Sequence, residues 1–189
     1  MVELLHGVGS LLDESTTQGI NSDASKLRRE FGAANGLVMP HPHLTYQVAR
    51  GYDRAPLESM LASLAREITP FTIRTVGLSA LEGPWPTIFL EVDNNSELRS
   101  IQRRVWDVCL PLAREPFPYY HPGSWSPHIT LVHADYRNPV SVPQDLARRV
   151  VDSLKGDEHL WTISIDNLAL SWDDGATQRP VQTFPLGEL

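Results

Sequence analysis

The chain has 189 residues, 41% of them hydrophobic and 21% charged, enough for one compact unit, and nothing in that balance suggests a disordered, collagenous or fibrous protein. Its net charge of −7 reverses the basic balance of proteins that grip long nucleic acid, so a phosphate-bearing partner is expected to be small or a chain end, not a long duplex. A single cysteine excludes an intrachain disulfide, and with no signal peptide and no apolar run near the ~20 residues of a membrane span, the expected location is cytoplasmic.

Apolar spacing and turn residues outline the elements in order. His6–Asp13 reads as a strand, and Ser22–Phe31 as a helix with Ala24, Leu27 and Phe31 on one face. His43–Arg50 is a strand. Asp53 then caps a helix with Pro56 in its first turn and Leu57, Met60, Leu61, Leu64 and Ile68 turned inward. Phe71–Leu81 and Thr87–Val92 are strands joined by the turn-like Glu82-Gly83-Pro84-Trp85-Pro86. Ser96–Ala113 is a helix on the stripe Leu98, Ile101, Val105, Val108 and Leu112, with Cys109 beside it as a plain structural thiol. Pro127–Ala134 is a strand, and Ser141 caps a helix beginning near Pro143 with Leu146, Val150 and Leu154 inward. His159–Trp172 and Arg179–Phe184 are strands separated by Asp173-Asp174-Gly175.

The order strand, helix, strand, strand thus occurs twice, over residues of about 41–93 and 126–185. Pro42-His43-Leu44-Thr45 matches Pro127-His128-Ile129-Thr130, and Phe71-Thr72-Ile73 matches Trp161-Thr162-Ile163 with Leu78 falling on Leu168. The expected fold is α+β: one bilobal domain over 1–189, duplicated about a pseudo-two-fold axis. Its antiparallel sheets would line a central cleft, with helices packed outside.

Two His-x-Thr triplets carry the chemistry. With seven histidines and eleven threonines in the chain, each histidine has about a 6% chance of a threonine two positions on. One triplet is therefore cheap, but two that both follow proline and both open strands are not. Residues i and i+2 of a strand share a face, so His43 lies with Thr45 and His128 with Thr130. Related by a two-fold axis, the four side chains meet across one cleft. One neutral imidazole can take a proton and the other, protonated, can give one, while the hydroxyls donate to phosphate oxygens; that suits cleavage of a phosphodiester without metal or cofactor.

The competing reading of His41, His43, His121 and His133 as metal ligands lacks a carboxylate cluster, and strict alternation turns His133 away from His128. Tyr119, Tyr120 and Trp125, in an aromatic loop, are candidates for stacking on a base, and Gln47 alternates onto the His43 face as a candidate ligand contact. Phe89, Trp161 and Trp172 read as core.

The paired triplets, each followed by a hydrophobic strand, resemble the 2H phosphoesterase superfamily, which includes RNA 2′,3′-cyclic phosphodiesterases and 2′-5′ RNA ligase-like proteins. The segment Tyr120-His121-Pro122-Gly123-Ser124-Trp125-Ser126-Pro127-His128-Ile129-Thr130-Leu131 is similar to the approach to the second motif in bacterial members. The resemblance spans the His6 strand to the Phe184 strand. It implies metal-free cleavage of 2′,3′-cyclic or 2′-5′-linked ribonucleotides or RNA ends. His43 and His128 would be catalytic, as acid and base respectively, with Thr45 and Thr130 holding phosphate. Tyr46 departs from the leucine common at its place. The rival expectation is a non-catalytic nucleotide-binding module that keeps the same cleft.

Overall fold

The computed structural model describes residues 5–31, 36–39, 41–83, 86–134, 143–154, 159–173 and 178–187. Among these described residues, ten strands and four α-helices run β1 (Leu5–Leu11), α1 (Glu14–Phe31), β2 (Gly36–Val38), β3 (His43–Tyr52), α2 (Arg54–Glu67), β4 (Phe71–Leu81), β5 (Thr87–Val92), α3 (Ser96–Cys109), β6 (Ala113–Pro116), β7 (His128–Ala134), α4 (Leu146–Ser153), β8 (Thr162–Ile165), β9 (Asn167–Asp173) and β10 (Gln178–Pro185). The strands form one curled antiparallel sheet in the order β10-β9-β1-β3-β7-β5-β4-β8, with β2 beside β7 and β6 beside β3.

The sheet's centre carries a pseudo-two-fold relation. β3 and β7 meet at one paired position, Leu44 opposite Ile129, and then diverge. From that position outward, β3 has β1 and then β9, while β7 has β5 and then β4. β3 also takes β6, and β7 takes β2, so each central strand is flanked by a short strand that precedes the other. The structural correspondence is therefore β1-α1-β2-β3-α2-β4 with β5-α3-β6-β7-α4-β8/β9. β10 pairs with β9 beyond it, whereas β5 lies inside, between β4 and β7.

α1 and α3 cross over between the halves, while α2 and α4 stay on the half of the strand before them. α1 packs on β2, β7 and α4, and α4 on β4 and β5; α3 packs on β3 and α2, and α2 on β9 and β10. Each half-sheet is thus covered by a helix whose preceding strand lies in the other half, which ties the two lobes into one core. Leu44, Tyr46, Ile129 and Leu131 are buried to 1% exposure or less at its centre.

Several elements differ from the sequence expectation for local reasons. α1 begins at Glu14 instead of Ser22. Asp13 caps it, accepting from Thr16 N at 2.9 Å and Ser15 Oγ at 2.7 Å, and its buried stripe opens on Thr16 and Ile20. Gly19, which interrupts the helical pattern, lies under Trp161: a Cβ there would come within 2.4 Å of the indole ring. α3 stops at Cys109 because Pro111 draws Leu110–Leu112 into a 3₁₀ turn. Cys109 is fully buried, and burial pushes its thiol well above the usual range. Met60, expected inward, is 42% exposed. The predicted strand His159–Trp172 breaks at Asp166, its first part pairing with β4 in one half and its second with β1 in the other. α4 has Asp145 at its cap position; Ser141, the expected cap, lies outside the described residues, as do Pro84, Trp85, Asp174 and Gly175.

Candidate active site

The two His-x-Thr motifs open β3 and β7 and flank the Leu44–Ile129 pair. In the antiparallel register about that pair, His43 falls opposite Thr130, and Thr45 opposite His128. All four alternate away from the buried Leu44 and Ile129, onto the cleft face, and all four are half-buried. The two histidines are then diagonal neighbours, a separation of about 7–8 Å in a sheet. That leaves room for one phosphorus centre between two imidazoles.

Both rings are held in the same way. His43 Nδ1 lies 2.8 Å from the carbonyl of His41, and His128 Nδ1 lies 2.9 Å from the carbonyl of Ser126. A carbonyl can only accept, so in each ring Nδ1 carries hydrogen and, in the neutral form, Nε2 carries the lone pair. Each ring is thereby presented by a backbone carbonyl two residues upstream of itself.

The motifs end at paired β-bulges. Gly9 is opposite Thr45, but the next residue of β1, Val8, is opposite Gln47; Phe89 is opposite Thr130, but Ile88 is opposite Val132. Tyr46 and Leu131 are the extra residues. The two strands share one exposure sequence over their first seven positions, with two consecutive buried residues at the bulge. This corrects the reading of Gln47. The bulge turns it inward, where it is 0% exposed and its Oε1 accepts from Tyr52 at 3.0 Å. By the same shift His133 comes back to the half-buried phase of His128 and Thr130, opposite to the expectation from strict alternation. Among the described residues no three His, Cys, Asp or Glu side chains are grouped as a metal would need.

The cleft walls are unlike. Beside His128, Phe89 stands edge-on at 5.2 Å between ring centroids and Tyr119 at 6.5 Å. These rings strip water from the imidazole, and burial lowers the His128 pKa from its ordinary value, opposed in part by the Ser126 carbonyl. Glu91, opposite His128 on β5, is exposed. Beside His43 the wall is different: Gly9, Leu11, Ala169, Ser171 and Pro180 surround a shallow surface hollow that His41 and His43 also border. Phe89 is buried, as expected, and its place opposite Thr130 puts its ring on the cleft side of β5.

The aromatic loop divides. Tyr119 is 45% exposed and reaches the site, whereas Tyr120 packs against the core and burial pushes its hydroxyl up to about 12. Trp125 is 5% exposed, packed on Tyr46, and donates its indole N–H to the Thr45 carbonyl at 3.0 Å, so it faces the interior and not a ligand.

Comparison with known proteins agrees with this architecture. The model of the 2′-5′ RNA ligase superfamily matches residues 18–177. No curated protein matches the chain by sequence. Among solved structures, the Thermus thermophilus protein TT0787 is 19% identical with a TM-score of 0.64, covering 97% of this chain and 98% of its own. E. coli LigT complexed with 3′-AMP is 18% identical with a TM-score of 0.57, covering 97% of each chain. Kluyveromyces marxianus Usb1 is 13% identical with a TM-score of 0.57, covering 98% of this chain and 99% of its own, and has also been solved with uridine monophosphate.

Proposed function

The chain belongs to the 2′-5′ RNA ligase superfamily, and from that premise we propose that it is a metal-independent phosphodiesterase opening 2′,3′-cyclic phosphates or cleaving 2′-5′-linked ribonucleotides and RNA ends. The observation that carries this reading is the mirrored pair of imidazoles, each with Nδ1 spent on a backbone carbonyl and Nε2 as the atom of proton transfer. His128, whose burial favours the neutral form, takes the proton of the attacking water. His43 protonates the leaving oxygen. Thr45 and Thr130 donate to the non-bridging oxygens, where negative charge is carried in the transition state. General acid and general base steps are each worth about 10²–10⁴-fold, so the pair accounts for substantial rate without a metal.

Tyr119 is the base-stacking candidate that stands beside His128 with an exposed ring. A small nucleotide or RNA end suits the acidic chain better than a duplex, and one buried cysteine suits a reducing cytoplasm. No described helix is long and apolar enough to cross a membrane. The test is a turnover screen over 2′,3′-cyclic mononucleotides, cyclic-ended RNA and 2′-5′-linked oligonucleotides, with equilibrium binding measured alongside. Turnover of at least one class is expected. Tight binding without turnover of any would favour the non-catalytic module instead.

A further inference from the structure

β3 parts from β7 after one paired position, and its ladder with β6 begins only at Ala49. Over the gap between them, side chains bond its backbone. Trp125 Nε1 donates to the Thr45 carbonyl at 3.0 Å, and Gln102 Nε2, from α3, donates to the Tyr46 carbonyl at 3.2 Å and to the Tyr120 carbonyl at 2.8 Å. Both donors are buried, at 5% and 1% exposure. They therefore act where water cannot substitute for them cheaply.

The segment that supplies Trp125 also supplies Ser126, whose carbonyl orients the His128 ring. One short stretch, Trp125–His128, thus holds Thr45 of the first motif at one end and the imidazole of the second motif at the other. Its upstream end is fixed too: Trp125 N donates to the His121 carbonyl at 2.9 Å, and Gln102 grips Tyr120. On the β7 side the corresponding carbonyl, that of Leu131, is taken by the backbone N–H of Met39 at 3.2 Å. Each motif's strand is thus tied to the approach of the other, the second by backbone and the first by the buried side chains of Trp125 and Gln102.

We propose that Trp125, supported by Gln102, is a positioning residue that sets the separation of the two His-x-Thr motifs and keeps the His128 ring in its Nδ1–H form. The proposal rests on the two-histidine reading above. A shift of about 1 Å in such a pair can lower the rate by about 100-fold.

The test is Trp125→Phe, which keeps a ring against Tyr46 and deletes the donor to Thr45. Two readouts separate positioning from packing. The first is kcat and KM on a 2′,3′-cyclic mononucleotide: kcat is expected to fall about 10–100-fold with KM changed less than about threefold. The second, which needs no turnover, is the tautomer of His128 read from imidazole ¹⁵N chemical shifts; the single Nδ1–H form of the parent is expected to become a mixture. If Trp125→Phe does not fold, Gln102→Met, which removes the neighbouring donor at similar volume, is read the same way. A folded variant that keeps the single Nδ1–H tautomer, or turns over at the parental kcat, overturns the proposal. A parent that hydrolyses nothing sinks the functional reading, and the tautomer then decides the positioning role by itself.

Discussion

Gly9→Ala probes the bulge that ends the first motif. Neither Gly9 nor Gly7 has a left-handed backbone, so substitutions at the two sites differ only in what the new methyl meets. At Gly9 a Cβ would lie 2.3 Å from the Leu44 carbonyl oxygen and 3.2 Å from its carbon; at Gly7 it would lie 3.4 Å from Ser171 Oγ, an ordinary contact. Relieving the first clash moves β1 from β3 by about 1 Å in a close-packed sheet, where overpacking costs about 1–3 kcal/mol. Replacing glycine returns about 0.4–1 kcal/mol through the unfolded chain. A net loss of up to about 2.6 kcal/mol, at about 2–4 °C per kcal/mol for a chain this size, lowers Tm by up to about 10 °C. Gly7→Ala should be neutral or slightly stabilising. Because the new methyl presses on Leu44 and Thr45 of the first motif, kcat/KM of Gly9→Ala should fall about 10–100-fold while Gly7→Ala keeps the parental value. Thermal unfolding by circular dichroism and cyclic-nucleotide hydrolysis on both variants decide it. If Gly9→Ala matched Gly7→Ala in both, the close approach of β1 to β3 would not be what holds the motif.

Burial lowers the His128 pKa, and a base must be neutral to act, so the acid limb of kcat/KM should lie below about 6.5, with activity lost as pH falls through it. Phe89→Ala re-exposes the ring and should move that limb upward; His43, Glu91 and Tyr119, the other titratable groups beside it, remain in place, and a pH–rate profile of both proteins shows the shift. Dialysis against EDTA should leave turnover unchanged, since acid, base and charge stabilisation all come from side chains; loss restored by one divalent ion would contradict this. Asp13→Ala should cost about 1 kcal/mol as a lost helix cap, or about 2–4 °C in Tm. Hydrogen bonds from Thr16 and Ser15 lower the Asp13 pKa to about 2, so its contribution is complete above the unfolded value near 3.9 and is lost as pH falls through about 2. The Tm difference should therefore narrow in acid, in scans at pH 7 and pH 3.

What was legible in the sequence rests on short-range rules. His43 with Thr45, and His128 with Thr130, share a face because alternation holds over two residues, and the proline before each histidine marks the strand start. Gln47 lies beyond the bulge, where one inserted residue reverses the phase; nothing in Tyr46-Gln47-Val48 announces it, since it is set by Val8 and Gly9 across the ladder. The α+β class with strands about a two-fold axis followed from the repeated order. The crossing of helices between halves did not, because packing of α1 on β7 and of α3 on β3 is non-local. β2 and β6, of three and four residues, are too short to show a period. The break at Asp166 hides inside a continuous strand-like run whose two parts pair in different halves. Trp125 was visible as an aromatic near the second motif, but its role depends on a carbonyl that only the fold brings to it.

The central claim is that His43 and His128 act as one acid–base unit across the cleft. Its most direct test is kcat/KM for His43→Ala, His128→Ala and the double variant on a cyclic phosphate that the parent turns over well, with folding checked by circular dichroism. Each single substitution should remove most of the activity, and the double variant should be little worse than either, because groups that act as a unit are not additive. A folded single variant that kept near-parental kcat/KM would contradict paired catalysis.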